Sequence, residues 1–125
     1  MQVKIDTKEK YYVITIQESK LTANMTEQIQ AGLLIYLKNP NKNIILDLKD
    51  INNIDDAAAE TLINIQQTFY EQNASFVICS LQSSVQQRLD STRLLEIMNE
   101  APTRIEAADI IHMEEIEREL LEGGL

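Results

Sequence analysis

Alternating apolar and polar positions near the amino terminus predict a pair of β-strands. Val3 and Ile5 alternate with polar residues, and segment 11–16 carries β-branched and aromatic side chains on both faces at a period of two. Such a period is typical of strands. The charged segment 8–10 between them has the length of a turn, so the pattern predicts a β-hairpin.

Two compact apolar runs further along the chain predict strands that are buried on both faces. They are segments 43–48 and 75–81, and continuous apolar runs of this length suit central strands of a parallel sheet. Helical spacing between the runs predicts a helix from about 56 to 72, with an apolar stripe made of Ala58, Leu62, Ile65 and Phe69. A short helix follows around Val85 and Leu89, and segment 94–99 is compatible with a further short strand.

Capping signals mark two more helices. Asn24–Glu27 resembles a capping box, which predicts that the Asn24 side chain accepts a backbone N–H at the start of a helix ending near 39–41. Thr103–Glu106 forms a second capping box, directly after a proline. It predicts an acidic C-terminal helix over about 103–121, ended by the glycines at 123 and 124.

The order of these elements, β-β-α-β-α-β-α-(β)-α, predicts an α/β fold. Helical crossovers between strands favour a mixed, mostly parallel β-sheet flanked by helices. The 125 residues, 44% of them apolar, suit one domain over residues 1–125 with a core of its own.

Composition removes several classes of partner. The net charge is −9 and the 11 basic residues are scattered, which argues against nucleic acid and against an anionic membrane surface. The longest apolar run, Leu33–Leu37, is far shorter than the ~18 residues of a membrane span. Because the amino terminus also lacks the apolar stretch of a signal peptide, we expect a cytoplasmic protein.

The residue types that usually carry catalysis or hold cofactors are scarce. Cys79 is the single cysteine, lies in a strand-like run and is expected to be buried, so a disulfide and most zinc sites are excluded. His112 is the single histidine, and no local motif supplies it with a nucleophile. No glycine lies between a strand and a helix to cradle phosphate. We therefore expect no enzyme activity, no cofactor and no metal.

Carboxylates form the one cluster that could carry chemistry. Asp47, Asp50, Asp55 and Asp56 lie on or after one central strand, and open α/β sheets place their sites at such strand ends. One interpretation is an acidic Mg²⁺ pocket in an enzyme. The other is that Asp50 is solvated and Asp55 or Asp56 caps the next helix. The acidic segment 114–122 is likewise either a solvated helical face or a docking helix.

The strand Ile44–Leu48, followed by Asp55–Ala59, resembles the signature of STAS domains, the family of bacterial anti-sigma factor antagonists. In that family an apolar strand with an internal Asp precedes, by about eight residues, an Asp-Ser-Ser-Gly motif that opens a helix. The later order of strand 75–81, short helix and terminal helix also matches, so the resemblance covers nearly the whole chain.

The resemblance implies a phosphorylation switch with an altered residue. In the family, the first Ser of the motif is phosphorylated by a partner kinase that is also the anti-sigma factor. Here Asp55 matches the family's Asp, Asp56 the phosphorylated Ser, Ala57 the second Ser and Ala58 the Gly, while Asn53 replaces an apolar residue. Asp56 either mimics phosphoserine permanently or marks a lost switch in which it merely caps the helix.

The resemblance further implies a non-enzymatic regulatory domain that binds an anti-sigma factor, a histidine-kinase-like ATPase, in a partner-switching pathway of transcription control. The implied partner-binding residues are Thr22, Asn53, Asp55, Asp56, Ala57 and Ala58. The alternative is a STAS-type structural subunit of a signalling scaffold or an ABC transporter complex, with no phosphorylation cycle. A homodimer is compatible with either role.

Overall fold

The computed structural model describes residues 1–122. The strands are β1 (Val3–Thr7), β2 (Tyr12–Ile16), β3 (Lys20–Leu21), β4 (Ile44–Asp47), β5 (Asn53–Ile54), β6 (Phe76–Cys79) and β7 (Glu100–Ala101). The α-helices are α1 (Thr26–Leu34), α2 (Asp56–Glu71), α3 (Ser83–Ser91) and α4 (Arg104–Glu122). Short 3₁₀ turns cover Ala23–Met25, Ile35–Lys38 and Leu94–Ile97.

Within residues 1–122 the main sheet has five strands in the order β1-β2-β4-β6-β7. The β1–β2 hairpin is antiparallel, and every other pair in this sheet is parallel. The predicted α/β fold with a mixed, mostly parallel sheet is therefore confirmed. A second, two-stranded parallel sheet pairs β3 with β5. The sequence did not predict it, because two residues are too few to show a period.

The two faces of the main sheet are covered differently. Side chains such as Ile14, Leu46 and Ile78 pack with α1, α2 and α3 in one buried cluster. Of the helices within residues 1–122, α4 alone packs on the other face, where Val13, Ile45 and Val77 contact its buried residues Ala107 and Ile111. The strict alternation of these β-branched and leucine side chains along each strand produces the two faces.

Polar side chains hold α4 to the sheet near its start. The guanidinium of Arg104 donates from Nε to Oδ2 of Asp47 at 2.6 Å and from a terminal nitrogen to Oγ1 of Thr15 at 2.9 Å. It also lies 3.4 Å from the carboxylate of Asp6. The neighbouring carboxylates raise the pKa of Arg104 above its ordinary value, mainly through the hydrogen bond to Asp47. The buried strand carboxylate is thus matched by a cation from the last helix.

A second contact holds α4 near its other end. The guanidinium of Arg118 donates to Oγ of Ser75 at 3.0 Å and to Oδ1 of Asn43 at 3.4 Å. Asn43 and Ser75 are buried just before β4 and β6, so this contact lies at the opposite end of the strands from Arg104.

The helix starts show where local sequence signals succeed and fail. Thr103 accepts the N–H of Glu106 at 3.1 Å, which confirms its predicted capping role. The prediction for Asn24 is wrong, because the chain there forms a 3₁₀ turn and no side chain caps α1. The free N–H of Ala23 instead donates to the carboxylate of Asp55 at 2.8 Å. The predicted ending at Gly123 and Gly124 lies outside the described residues.

Segment 94–99 does not form the short strand that the sequence suggested. It contains a 3₁₀ turn, and the strand follows at β7, which pairs with β6. Asn99 marks the change, because its carbonyl accepts the N–H of Ile78 at 2.9 Å and so begins the pairing.

Candidate functional site

The predicted site residues gather where β4 and β6 end. The loop 48–55 leads from β4 through β5 into α2, and the loop 80–82 leads from β6 into α3. Because the two strands are parallel, their carboxyl ends meet at one edge of the sheet. The first turns of α2 and α3 therefore border the same surface.

Asp55 ties three segments of this edge together. It is the N-cap of α2, and its Oδ1 accepts the N–H of Ala58 at 2.9 Å. Its Oδ2 accepts the N–H of Ala23 at 2.8 Å, and its own N–H donates to the carbonyl of Leu21 at 3.0 Å. Of the two carboxylates considered for capping, Asp55 fills the role, and the suggestion that Asp56 caps the helix is wrong.

Asp56 is the first residue of α2 and points to solvent, with 55% of its side chain exposed. Its Oδ1 accepts hydrogen bonds from Arg88 of α3, at 3.0 Å from one terminal nitrogen and 3.3 Å from Nε. Because both side chains are more than half exposed, this ion pair is worth about 0–1 kcal/mol. The carboxylate therefore remains accessible to a partner at little energetic cost.

Side chains of α3 and the segment before it hold the loop after β4 in place. Gln82 donates to the carbonyl of Lys49 at 2.6 Å, and Ser84 donates to the carbonyl of Asn52 at 2.8 Å. With Arg88 they form a set that the sequence analysis did not name. The signal that could have identified them is the parallel order of β4 and β6, which brings the starts of α2 and α3 together.

The other predicted contact residues differ in exposure. Asn53 and Ala57 are exposed, and Thr22 is half-buried next to the 3₁₀ turn that Asp55 holds. Pairing of β3 with β5 brings Thr22 and Asn53 close to the start of α2. Ala58 is fully buried, so its methyl group belongs to the core below this surface.

Of the four carboxylates on or after β4, Asp47, Asp55 and Asp56 are already bonded to protein groups, and Asp50 is exposed. Asp47 accepts the N–H of Lys49 with one oxygen and the guanidinium of Arg104 with the other. Within residues 1–122, no group of three or more His, Cys, Asp or Glu side chains is arranged to hold a metal ion. What this edge presents is an exposed carboxylate beside a guanidinium, on a surface fixed by backbone hydrogen bonds.

Comparison with known families adds to this geometry. The family model described as the STAS domain matches residues 2–107. The chain belongs to the STAS domain family. No curated protein sequence matches it.

Solved structures share the STAS fold of this chain at low sequence identity. A proposed anti-sigma factor antagonist from Thermotoga maritima is 20% identical, with 88% of this chain and 94% of that chain covered and a TM-score of 0.74. A STAS domain anti-sigma factor antagonist from Planctomyces limnophilus is 20% identical over 88% and 97%, with a TM-score of 0.72. The Bacillus cell-fate determinant SpoIIAA in its phosphorylated form is 15% identical over 88% and 99%, with a TM-score of 0.62.

Over residues 1–122, no helix of this STAS domain combines the length and the apolar character that crossing a bilayer requires.

The buried thiol at this edge predicts a loss of stability at alkaline pH. Burial raises the pKa of Cys79 from its ordinary 9.0 to about 11. The protonated thiol thus stabilises the fold fully below pH 9, and this contribution is lost as the pH rises toward 11. We expect about 1 kcal/mol less stability from this source at pH 10 than at pH 9.

Urea unfolding of the native chain and of Cys79→Ala at pH 7, 9 and 10 measures this contribution. Burial and Glu114 raise the pKa of Tyr70 as well, but that group is present in both proteins and cancels in the difference. Parallel stability curves for the two proteins would contradict the prediction.

Proposed function

We propose that this STAS domain is a non-enzymatic regulatory module that binds an anti-sigma factor of the histidine-kinase-like ATPase type. Its contact surface is the edge around the start of α2, formed by Thr22, Asn53, Asp55, Asp56 and Ala57. The observation that carries the proposal is the exposed carboxylate of Asp56 at the first position of α2. The solved relatives described as anti-sigma factor antagonists support the same role.

Asp56 supplies a fixed negative charge at the position that the family phosphorylates. Its carboxylate carries about −1, against about −1.5 to −2 for phosphoserine. A helix N-terminus stabilises either group through the helix dipole. The relative SpoIIAA, for which a structure of the phosphorylated form has been solved, supports a comparison with the modified state. We infer that Asp56 mimics phosphoserine and keeps the domain in one state of a cytoplasmic partner-switching pathway.

Arg88 belongs to the same proposal. It neutralises part of the Asp56 charge when the domain is free. A partner that supplies its own cation must therefore compete with an exposed ion pair, which costs little. A partner that supplies a carboxylate meets Arg88 instead. The pair gives the surface one cation and one anion side by side, with Asp56 at the start of α2 and Arg88 in the last turn of α3.

Replacing Asp56 with Ser should change affinity for the native partner at least about tenfold, which corresponds to ~1.4 kcal/mol. The substitution removes a full charge from the proposed contact surface, and charges desolvated at an interface strongly affect affinity. Titration calorimetry against the ATPase recovered by affinity purification measures the change. Tighter binding by the Ser variant means that Asp56 mimics the phosphorylated, released state, and weaker binding means that the carboxylate is itself a contact.

The matched control is Asp90→Ser, which removes an exposed carboxylate two residues after Arg88, about 200° around α3 and so on its opposite side. It should leave affinity unchanged within about twofold, because exposed charges outside a contact add little. If Asp56→Ser is folded and binds as tightly as the native chain, the switch is absent. That result favours the alternative role as a structural subunit of a scaffold or an ABC transporter complex.

A further inference from the structure

The last helix, α4, is apolar on two opposite sides. Its inner side buries Ala107 and Ile111 against the sheet. Its outer side carries four exposed apolar residues, here called the outer stripe: Ile105, Met113, Ile116 and Leu120. With 3.6 residues per turn they lie within about 80° of one another, facing away from the sheet. A helix packed on one side only is normally polar on the other. We therefore expect the outer stripe to pack against another molecule.

The charges around the outer stripe have one sign. Both basic residues of segment 104–122, Arg104 and Arg118, turn inward and bond to Asp47 and to Ser75. The acidic residues that remain exposed on α4 are Glu106, Asp109, Glu117, Glu119 and Glu122. The outer face of α4 is therefore apolar from Met113 to Leu120 and bordered by carboxylates, and Asp109 lies within the stripe between Ile105 and Met113.

We propose that the outer stripe of α4 is a docking surface for an amphipathic helix of another protein, one that carries Lys and Arg beside its apolar positions. Spacing of three and four residues between Met113, Ile116 and Leu120 matches the knobs that a second helix accepts between its own side chains. The bordering carboxylates select a cationic partner and disfavour an acidic one.

Charge argues against a second copy of the chain and against an anionic membrane as the partner of the outer stripe. A second copy of the chain would bring its own exposed Glu117 and Glu119 against the same carboxylates, in a protein whose net charge is already −9. Like charges placed across a helix pair destabilise it. An anionic lipid surface is repelled in the same way.

This surface is separate from the one around Asp56. The start of α2 belongs to the layer of helices on one face of the sheet, and α4 packs on the opposite face. The proposed helix and the proposed anti-sigma factor therefore contact different sides of the molecule. Substitutions in the outer stripe leave the Asp56 surface unchanged, so the two proposals can fail independently.

The probe for the test is a synthetic peptide of three heptads with Leu at the a and d positions and Lys at the flanking positions, compared with the same peptide carrying Glu at those flanks. Titration calorimetry at 0.15 M salt gives the affinity, since ~0.15 M screens distant charges as in cells. Amide chemical shifts of the isotope-labelled protein locate the contact. We expect the Lys peptide to bind with shifts concentrated on α4, and the Glu peptide not to bind.

The deciding variant combines Met113→Ser, Ile116→Ser and Leu120→Ser, which keeps the net charge and should weaken binding of the Lys peptide at least tenfold. Its matched control is Ile35→Ser, which removes an apolar side chain that is 57% exposed after α1. That control should change affinity less than twofold. If the triple variant melts at a lower temperature than the native chain, the single variant Ile116→Ser replaces it, with severalfold weaker binding expected.

Several outcomes overturn the proposal. Unchanged binding by the Ser variants would show that the negative charge of the chain alone attracts the peptide, and failure of the Lys peptide to bind would remove the docking surface. Sedimentation that shows a dimer lost in the triple variant would assign the stripe to a second copy. Binding to vesicles of anionic lipid that depends on the stripe would assign it to a membrane.

Discussion

Replacing Arg104 with Met should lower the free energy of unfolding by about 3 kcal/mol. The substitution leaves the Asp47 carboxylate, whose side chain is 2% exposed, without its cation inside the protein. Breaking a buried ion pair from one side typically costs ~3–5 kcal/mol, because the remaining charge is desolvated and unpaired. The lower end applies because the Arg104 side chain is 37% exposed, so water reaches that side of the pair. Urea unfolding followed by circular dichroism measures the loss.

The matched control for this loss is Arg93→Met. Arg93 also faces a carboxylate, Glu96, but its side chain is 81% exposed and the two charges lie 3.8 Å apart. That variant should lose less than about 0.5 kcal/mol. A double-mutant cycle with Asp47→Asn isolates the pair, and the double variant should be more stable than the sum of the single losses predicts. Equal losses for Arg104→Met and Arg93→Met would show that the pair does not stabilise the fold.

Replacing Asp55 with Ala should cost about 2 kcal/mol of stability. The carboxylate is the N-cap of α2 and also accepts the N–H of Ala23 at the start of the preceding 3₁₀ turn. Loss of an N-cap alone costs about 0.5–2 kcal/mol, and the second unpaired N–H adds to it. The same urea unfolding measures this loss, together with amide exchange at Ala23 and Ala58, which should accelerate.

Two further variants, one at Asp55 and one at Asp56, serve as controls for this experiment. Asp55→Asn keeps one acceptor oxygen for Ala58 but turns an N–H₂ group toward the N–H of Ala23, so its loss should be intermediate. Asp56→Ala removes a carboxylate one residue later that caps nothing and forms only an exposed ion pair, so it should cost less than about 1 kcal/mol. If Asp56→Ala destabilises the chain as much as Asp55→Ala, the assignment of the cap to Asp55 is wrong.

The parts of the fold that could be predicted are those whose signal lies in neighbouring residues of the sequence. Alternation marked the hairpin of β1 and β2, and compact apolar runs marked β4 and β6, because each needs only neighbouring residues to show its period. The start of α2 was also visible, since an acid at an N-cap is a local preference. The STAS signature itself combines two such local features, an apolar strand with an Asp and an acid that opens a helix.

The parts that could not be predicted depend on distant partners. Asp47 and Arg104 are 57 residues apart in the chain, and nothing near Asp47 indicates which cation neutralises it. Asn24 looked like a cap, yet the acceptor for the turn beside it comes from Asp55, which is 32 residues from the donor Ala23. Arg88 contacts Asp56, 32 residues away, because the parallel strands β4 and β6 place α3 beside the start of α2. In each case a tertiary contact replaced the local one.

Among the helices of residues 1–122, α4 alone covers one face of the main sheet, and this has a consequence for folding during synthesis. The residues of α4 follow every strand of the main sheet, so on a ribosome the sheet and the α1–α3 layer emerge before α4 does. At ~5–20 residues per second, the 19 residues of α4 take roughly 1–4 s to add. Until α4 has emerged and docked, Val13, Ile45 and Val77 lack the cover that this helix gives them in the folded chain. An uncovered apolar face is a binding site for chaperones and a route to aggregation, until docking of the last helix closes it.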